Sequence, residues 1–370
     1  MSKVLYAASV PIHLANFHRP YIQKLIDRGD EVWTLCSGDF TQPGTAGHID
    51  FPLKKSMGAP GNFLSALRLA GRLRRSNFDL ICVHTSLAAF FLRLALRFAG
   101  KGETKLINTV HGYLFDEGTP FLKRSILLLA EMLHRGMTDR VVVMNASDKA
   151  IAEKHRLGKE VVSIPGMGVD FSRLHLPERA EARRDLGLGE GDLLLLYPAE
   201  FSPRKNQGFL IRALKKLPEN VFLALPGEGR LLDACRGASE SAGMGRRVLF
   251  PGQVSDLGPW LSAADICVSA SRYEGLPFNI MEGMYAGRCV VASRVKGHTD
   301  LIREGAGGFL YGFGDEDEFC DCIRTLSLDP ALRAVMGEKN RASVARYGRD
   351  TVAEEVFAAL TMLKEPVPTA

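Results

Sequence analysis

The sequence predicts an α/β protein with two parallel β-sheets, each packed between layers of helices. Three observations support this prediction. The chain has 370 residues, more than one hydrophobic core usually accommodates. Short apolar runs alternate with longer amphipathic segments, as in parallel strands joined by helices. A polar stretch, residues 172–192, interrupts this alternation halfway along the chain and is the linker that we predict.

Apolar runs of strand length occur in both halves of the chain. In the first half they are residues 4–10, 31–36, 80–84, 105–110 and 140–144. In the second half they are residues 193–197, 221–225, 247–250, 266–269 and 289–293. Residues 330–364 have a helical pattern, and Pro366 and Pro368 mark a frayed tail.

These elements predict two Rossmann-like domains that face a central cleft. The predicted domains are residues 1–175 and residues 176–350, followed by a C-terminal helix and tail, residues 351–370, suited to packing back on the first domain. Ligands of open α/β sheets bind beyond the carboxyl ends of the strands. We therefore look for functional residues in the loops that follow strands.

Composition and hydropathy indicate a folded globular protein that does not span a membrane. Hydrophobic residues make up 46% of the chain and charged residues 24%, as in a folded globular protein. Arg93, Arg97 and Lys101 interrupt the most apolar region, so no run reaches the ~18 apolar residues of a spanning helix. The first strand follows Met1 without the features of a secretory signal, so we expect a cytoplasmic protein.

The charge is unevenly distributed between the two halves. Residues 1–175 carry 23 basic and 15 acidic residues (net +8), and the remainder carries 24 and 27 (net −3). A basic first half suits phosphate, an anionic membrane or nucleic acid, and is equally compatible with an ordinary solvated surface. No nucleic-acid-binding motif accompanies the basic residues, and we expect no nucleic-acid partner. The seven cysteines are scattered and contain no Cys-x-x-Cys pair, so we expect core residues rather than zinc ligands.

The segment ASRYEGLPFNIMEGMYA, residues 270–286, follows the predicted strand at 266–269. Pro277 suits the first turn of a helix, where its missing N–H has no helical partner. The amides of Leu276, Phe278 and Asn279 would then lie at a helix N-terminus, which favours a phosphate group. The start of this helix is therefore a candidate binding site for a diphosphate.

Two glutamates, Glu274 and Glu282, bracket this turn with seven residues between them. Carboxylates accept hydrogen bonds from sugar or ribose hydroxyls. An isolated Glu-x7-Glu pair is common on exposed helices and indicates little by itself. Its position around a Gly-Leu-Pro turn directly after a strand favours a ligand site.

At these residues the chain resembles the retaining glycosyltransferases of GT-B fold, group 1 and family 4, of the bacterial exopolysaccharide, capsule and lipopolysaccharide type. The resemblance extends over essentially the whole chain. It implies that Glu282 binds the ribose hydroxyls and that Glu274 contacts the transferred sugar. It also implies that Arg204 and Lys205, in PAEFSPRKNQGFLIRAL, bind the diphosphate. Cations there stabilise a leaving nucleotide diphosphate without a metal.

Other segments resemble the same family. In LPGEGR, Gly227 and Gly229 correspond to a glycine turn near the nucleotide, although an ordinary turn explains a lone Gly-x-Gly nearly as well. In VLFPGQVSDLGPWLSAADICVSAS, Gly252 and Val254 correspond to positions near the nucleotide. The donor site implied by the resemblance comprises Arg204, Lys205, Gly227, Val254, Glu274, Gly275, Leu276, Pro277, Phe278 and Glu282.

The first half supplies one candidate for the reaction centre. In NTVHGYLFDEG, His111 and Gly112 follow a predicted strand, and the resemblance implies that His111 hydrogen-bonds the donor sugar. The implied catalytic residues are His111, Glu274, Arg204 and Lys205. The loop after the first strand, AASVPIHLANFHRPYI, departs from the Gly-Gly turn that is common in the family. Its residues Ser9, His13 and His18 receive no role.

We predict no cofactor and no catalytic metal. No Asp-x-Asp follows a strand, and Asp315 and Asp317 fall in a predicted acidic loop without a histidine. No Gly-x-Gly-x-x-Gly follows the first strand, which argues against nicotinamide or flavin. The nucleotide sugar would be a substrate.

The predicted function is transfer of a hexose or N-acetylhexosamine, by resemblance from a UDP-sugar, to a glycan or polyprenyl-diphosphate-linked acceptor. Segments 86–99 and 120–134 are apolar with interspersed basic residues. This pattern fits peripheral contact with the inner face of the membrane or packing in the core. Alternatives are a nucleotide-sugar epimerase of the same fold, which needs no acceptor, and a non-catalytic nucleotide- or glycan-binding protein.

Overall fold

The computed structural model describes residues 1–116 and 118–362. These residues form two compact units. Unit 1 contains Met1–Gly168 and the described residues from Val352 onward, and unit 2 contains Val169–Thr351. Each unit contains one parallel sheet with helices, as the sequence predicts.

The described residues of unit 1 form a seven-stranded parallel sheet in the order β3-β2-β1-β4-β5-β6-β7. Its strands are β1 Lys3–Ala7, β2 Glu31–Cys36, β3 Gly47–Asp50, β4 Leu80–His84, β5 Lys105–Val110, β6 Arg140–Val143 and β7 Glu160–Ser163. Its first six helices are α1 Pro11–Phe17, α2 Arg19–Asp27, α3 Pro60–Ser76, α4 Ser86–Ala99, α5 Phe121–Leu133 and α6 Ala146–Lys154. The central strands are buried on both faces and therefore form continuous apolar runs in the sequence.

Unit 2 contains a six-stranded parallel sheet in the order β10-β9-β8-β11-β12-β13. Its strands are β8 Leu193–Leu196, β9 Val221–Ala224, β10 Val248–Leu249, β11 Ile266–Ser269, β12 Cys289–Ser293 and β13 Gly308–Tyr311. Its helices are α7 Arg179–Asp185, α8 Gln207–Leu214, α9 Leu232–Ser241, α10 Gly258–Ala263, α11 Phe278–Tyr285, α12 His298–Leu301, α13 Glu316–Leu328 and α14 Pro330–Val344.

The division between the units lies between Gly168 and Val169, before the predicted boundary at 175. The prediction of a linker at residues 172–192 was wrong. Helix α7 lies within this stretch, and Arg179 and Arg183 form ion pairs with Asp265 at 2.6 Å and 3.1 Å. The segment is polar because it supplies these guanidinium groups to unit 2.

The last described helix, α15 Arg349–Thr361, returns to unit 1 from Val352 onward. Arg140 donates hydrogen bonds to the carbonyl oxygens of Ala358 and Ala359, at 3.2 Å and 3.0 Å. The predicted frayed tail, including Pro366 and Pro368, lies outside the described residues.

Three edge strands and one helix were missed or misassigned. Strands β3, β7 and β13 each have four residues and lie at a sheet edge. In β3 and β7 exposure weakens the apolar pattern, whereas β13 has an apolar run that was overlooked. Asp315 and Asp317 lie at the start of helix α13 rather than in an acidic loop, contrary to the prediction, with Asp317 in its first turn. Asp315 caps helix α13 by accepting hydrogen bonds from the N–H groups of Asp317 and Glu318.

Candidate active site

The candidate site in unit 2 lies at the carboxyl edge of its sheet. Strands β8, β11 and β12 are neighbours, so the loops that follow them emerge side by side. The loop after β8 carries Arg204 and Lys205, and the loop after β11 carries Glu274. The sheet order thus brings together residues that are about 70 positions apart in the chain.

Glu274 is the centre of a buried ion-pair cluster. Its side chain is 7% exposed. One carboxylate oxygen accepts a hydrogen bond from Arg204 Nη1 at 2.7 Å. The other accepts hydrogen bonds from Lys205 Nζ at 2.5 Å and from Ser271 Oγ at 2.6 Å. Three of the four residues that the sequence predicts at the reaction centre are therefore in direct contact.

The cluster keeps Glu274 ionised. Burial alone would raise the pKa of Glu274, but the charges of Lys205 and Arg204 lower it to about 2. The Arg204 side chain is 34% exposed, whereas that of Lys205 is 11% exposed. Arg204 can therefore contact a ligand while it remains paired with Glu274.

A second layer of hydrogen bonds supports Glu274. The Tyr197 hydroxyl and Ser271 Oγ are 2.7 Å apart, and Ser293 Oγ donates to the Ser271 carbonyl at 2.6 Å. Tyr311 donates to the carbonyl of Ser269 at 3.0 Å. These side chains come from the ends of four different strands, and sequence reasoning missed them. The available signal is a serine or tyrosine at the end of each apolar run.

Helix α11 begins one residue later than the sequence predicts. Pro277 has φ −78° and ψ 117° and is the N-cap rather than the first helical residue. Gly275, Leu276 and Pro277 form the turn between Glu274 and the helix. Asn279 Nδ2 donates to the carbonyl of Pro198 at 3.0 Å, which ties the start of the helix to the loop after β8.

The loop after β12 packs against this turn through Gly297. Gly297 has φ +81°, and a Cβ there would lie 2.7 Å from the carbonyl oxygen of Gly275. The next residue, His298, is buried and bonds the carbonyl of Ser293 through Nδ1 at 2.8 Å. Sequence reasoning overlooked this segment, and its signal is a lone glycine that follows a strand.

Glu282 lies in the second turn of α11 and is half-buried. In the part of the chain that the structure describes, its carboxylate has no hydrogen-bond or ion-pair partner. Burial raises the pKa of Glu282 to about 7, although Arg173 opposes the increase. An unpaired carboxylate on the helix that follows Glu274 is a suitable acceptor for hydroxyl donors.

Close packing of neighbouring loops requires both glycines of the turn after β9. A Cβ on Gly227 would lie 2.2 Å from the carbonyl oxygen of Ala199, and one on Gly229 would lie 2.5 Å from that of Phe201. The Gly227 N–H donates to the carbonyl of Gly252 at 2.7 Å. The glycines therefore allow close packing of the loops that follow β8, β9 and β10. Val254 lies half-buried in the last of these loops.

Unit 1 contains a second cluster of polar side chains at its carboxyl edge. His111 follows β5, His84 ends β4, and His13 and His18 belong to the segment after β1. The His111 Nε2 and His84 Nδ1 atoms are 3.4 Å apart. Burial is the main cause that lowers the pKa of His111 well below its usual range. The ring of His111 is therefore neutral at pH 7.

The backbone is strained beside this cluster. Thr85, which follows His84, has φ +72°, an unusual value for a β-branched residue. Its hydroxyl lies 2.7 Å from that of Ser9, which joins the ends of β1 and β4. Strain of this kind is concentrated at functional sites.

The comparisons with known proteins decide the family. Residues 21–173 match Glycosyltransferase Family 4, and residues 178–343 match Glycosyl transferases group 1. EpsD of Bacillus subtilis strain 168, a protein named as a glycosyltransferase, is 30% identical over 361 residues, or 96% of this chain and 95% of EpsD. This chain belongs to the group 1, family 4 glycosyltransferases. The resemblance to GT-B glycosyltransferases of polysaccharide biosynthesis is confirmed.

Other proteins are similar to this glycosyltransferase over most of its length. An Escherichia coli protein named UDP-Gal:alpha-D-GlcNAc-diphosphoundecaprenol alpha-1,3-galactosyltransferase is 24% identical over 278 residues, covering 72% of this chain and 71% of that protein. The crystal structure of Anabaena HepE with UDP and glucose has a TM-score of 0.77 and 19% identity, covering 98% of this chain and 100% of HepE. The HepE likeness confirms the two-domain GT-B fold. Among the described residues, no helix has the length and apolar character needed to cross a membrane.

Proposed function

We propose that this glycosyltransferase moves a hexose or N-acetylhexosamine from a UDP-sugar to a hydroxyl of a glycan or polyprenyl-diphosphate-linked acceptor, with retention of configuration. The observation that carries the proposal is the buried Glu274–Arg204–Lys205 cluster beside the start of α11. The HepE complex with UDP and the name of the E. coli relative support this choice of donor. Both EpsD and the E. coli protein are named as transferases, which favours transfer over the epimerase and the non-catalytic binder.

The donor diphosphate would bind between Arg204 and the first turn of α11. The guanidinium can donate charge-assisted hydrogen bonds to phosphate oxygens from its exposed part. The first N–H groups of the helix and its dipole favour the same anion. The fixed cations Arg204 and Lys205 would then stabilise the charge that develops on the leaving UDP, and no metal would be needed.

Glu274 would position the transferred sugar rather than attack it. It is ionised, but it already accepts hydrogen bonds from Arg204, Lys205 and Ser271. These donors lower its nucleophilicity and fix its position, so a covalent glycosyl-Glu274 intermediate is disfavoured. The acceptor hydroxyl would instead attack from the face that UDP leaves. A product of inverted anomeric configuration, measured by NMR, would contradict this mechanism.

Glu282 would bind the ribose, and Gly227 and Val254 would lie nearer the base. The Glu282 carboxylate is unpaired among the described residues and has two oxygens for the two ribose hydroxyls. The role that the resemblance implies for His111, a hydrogen bond to the donor sugar, stays a prediction.

A panel of nucleotides tests the donor site. We expect UDP and one of its sugars to raise the Tm of the full chain in EDTA, and adenosine and guanosine diphosphates to raise it much less. Stabilisation follows RT ln(1 + [L]/Kd), about 2.7 kcal/mol at a ligand concentration of 100 Kd. Glu282→Ala should abolish most of the shift, whereas Glu240→Ala, on the exposed end of α9, should not. No shift with any nucleotide would contradict the proposal.

The pH dependence of UDP affinity gives a second test of the role of Glu282. Ribose hydroxyls favour the ionised carboxylate, so UDP affinity should fall up to about tenfold as the pH falls from 8 to 6. The stability of the free protein depends on pH in the opposite direction, because the raised pKa means that the folded state binds the proton of Glu282 more tightly than the unfolded state. The stability that this proton contributes is complete below the usual pKa of 4.5 and is lost as the pH rises through about 7. Glu282→Ala should therefore not destabilise the free protein at pH 8. Loss of the UDP-induced Tm shift in this variant then reports loss of UDP binding rather than loss of stability.

The acceptor proposal includes contact with a membrane surface through α5. Five large apolar side chains of this helix are strongly exposed: Phe121 (83%), Leu122 (72%), Ile126 (59%), Leu129 (63%) and Leu133 (53%). The exposed cations Lys123 and Arg135 lie at its two ends. Helix α4, the other candidate, packs in the core instead, because Phe91, Leu92 and Arg93 are fully buried. An apolar face with flanking cations suits anionic lipid.

Vesicle flotation tests this face. We expect the full chain to float with phosphatidylglycerol-containing vesicles, and Ile126→Ser with Leu129→Ser to weaken binding by at least about 100-fold, since each buried aliphatic side chain contributes about 1.5–3 kcal/mol. The matched control is Leu328→Ser with Val335→Ser, which changes exposed apolar residues of unit 2. Equal flotation of the two double variants would contradict the proposed face.

A further inference from the structure

Four histidine rings of unit 1 form a compact cluster. The ring centroids of His13 and His18 are 4.9 Å apart, those of His13 and His111 4.6 Å, and those of His18 and His84 4.0 Å. Tyr6 stacks on His84 at 4.7 Å and forms the base of the cluster. Four imidazoles from three separate segments thus meet where β1, β4 and β5 end.

Several ring nitrogens of the cluster lack partners. Within residues 1–116 and 118–362, the Nε2 atoms of His13, His18 and His84 are buried and form no hydrogen bond. A buried polar atom without a partner costs roughly 1–3 kcal/mol. The Nε2 atoms of His13 and His18, which lie in one cluster, therefore point to a bound group that satisfies them.

The donor set indicates the chemistry of that group. His13, His18 and His111 each offer one nitrogen, and these nitrogens all lie within 4.8 Å of one another. Imidazole nitrogen suits zinc, copper and nickel, whereas magnesium and calcium prefer oxygen ligands. Three histidines with a fourth position left to water is a known zinc arrangement.

The geometry needs only a small adjustment. Zinc–nitrogen bonds of 2.0–2.1 Å in a tetrahedron place the nitrogens about 3.4 Å apart. His13 and His111 are half-buried and can turn toward the centre, whereas His18 is fully buried. The Tyr6 hydroxyl lies 2.9 Å from His18 Nδ1, which leaves Nε2 of His18 as the ligand atom. A partner on the other ring nitrogen is typical of histidine metal ligands.

We propose that His13, His18 and His111 form a binding site for one divalent transition-metal ion of the zinc type. The three histidines all belong to unit 1, whereas the predicted donor-binding residues all belong to unit 2. A metal there engages the ring of His111. It therefore inhibits any step that needs this ring.

Cobalt binding tests the site without an activity assay. The full chain, freed of metal by chelation and dialysis, is titrated with Co²⁺ and then with Zn²⁺. We expect one Co²⁺ per chain with the visible absorption of a tetrahedral site, and displacement by Zn²⁺. His13→Gln and His18→Gln should weaken binding by at least the roughly 10- to 100-fold that loss of an outer partner costs. Tyr6→Phe should weaken it roughly tenfold.

The control is His155→Gln, which removes a histidine of unit 1 outside the cluster and should leave Co²⁺ binding unchanged. His13 is only half-buried, so His13→Gln keeps the test valid if His18→Gln does not fold. Absence of the visible band, or equal Co²⁺ affinity in wild type and His13→Gln, would overturn the proposal. The UDP-induced Tm shift of the same metal-free samples reports the donor site separately.

Discussion

Replacing Glu274 by alanine is expected to destabilise unit 2 by about 3–5 kcal/mol, since it leaves the Lys205 ammonium group without its buried counter-charge. The cost is high because Lys205 is 8% exposed and water cannot replace the lost carboxylate. Arg204, with a more exposed side chain, contributes less to this cost. Removing the lysine charge as well, with Lys205→Met, should recover part of the stability.

Urea unfolding of unit 2 measures this effect. The chain has two tryptophans, one in each unit, so a Trp33→Phe background leaves Trp260 as the reporter of unit 2. The matched control is Glu304→Ala, which breaks an exposed ion pair with Arg294 and should cost at most about 1 kcal/mol. Equal losses for Glu274→Ala and Glu304→Ala would show that the cluster contributes no more than a surface pair.

The second large effect concerns activity: Arg204→Ala is expected to lower kcat by about 10²- to 10³-fold. Its guanidinium would stabilise charge that develops on the diphosphate as the bond to the sugar breaks, so its removal affects the transition state most. Stability should change little, because Glu274 keeps its bonds to Lys205 and Ser271. The measurement is UDP release from the donor that the nucleotide panel identifies.

Two variants sharpen the interpretation of the kinetics. Arg212→Ala removes an arginine of α8 that pairs with Glu316 on the surface, and kcat should not change. Arg204→Lys keeps the charge but loses the planar donor group, so it should restore only part of the rate. A loss of less than about tenfold for Arg204→Ala would contradict the assigned role of this residue.

The fold was largely predictable because the central strands are buried on both faces. β2, β4, β5, β11 and β12 have the predicted bounds. Of these, β4, β11 and β12 are fully buried and mostly apolar, as is usual for central parallel strands. The edge strands β3 and β7 carry polar residues and were missed. The polar segment at 172–192 was misassigned because the pairing of Arg179 and Arg183 with the distant Asp265 leaves no local signal.

Only those residues of the candidate site that lie in local sequence motifs could be predicted. Arg204, Lys205 and Glu274 were found because each lies in a motif of the family, and the structure brings them into contact. Tyr197, Ser293 and Gly297 support the site because their strands lie beside β11 in the sheet. A single sequence does not reveal this strand order. His13 and His18 were noticed, but their approach to His111 likewise depends on that order.

The central claim is that the carboxyl edge of unit 2 binds the nucleotide diphosphate of the donor. A crystal structure of the full chain grown with UDP and EDTA tests it most directly. We expect diphosphate density within hydrogen-bond distance of Arg204 and the start of α11, with the ribose hydroxyls on Glu282. Density for UDP elsewhere, or a diphosphate that contacts neither Arg204 nor α11, would show that this edge is not the donor site.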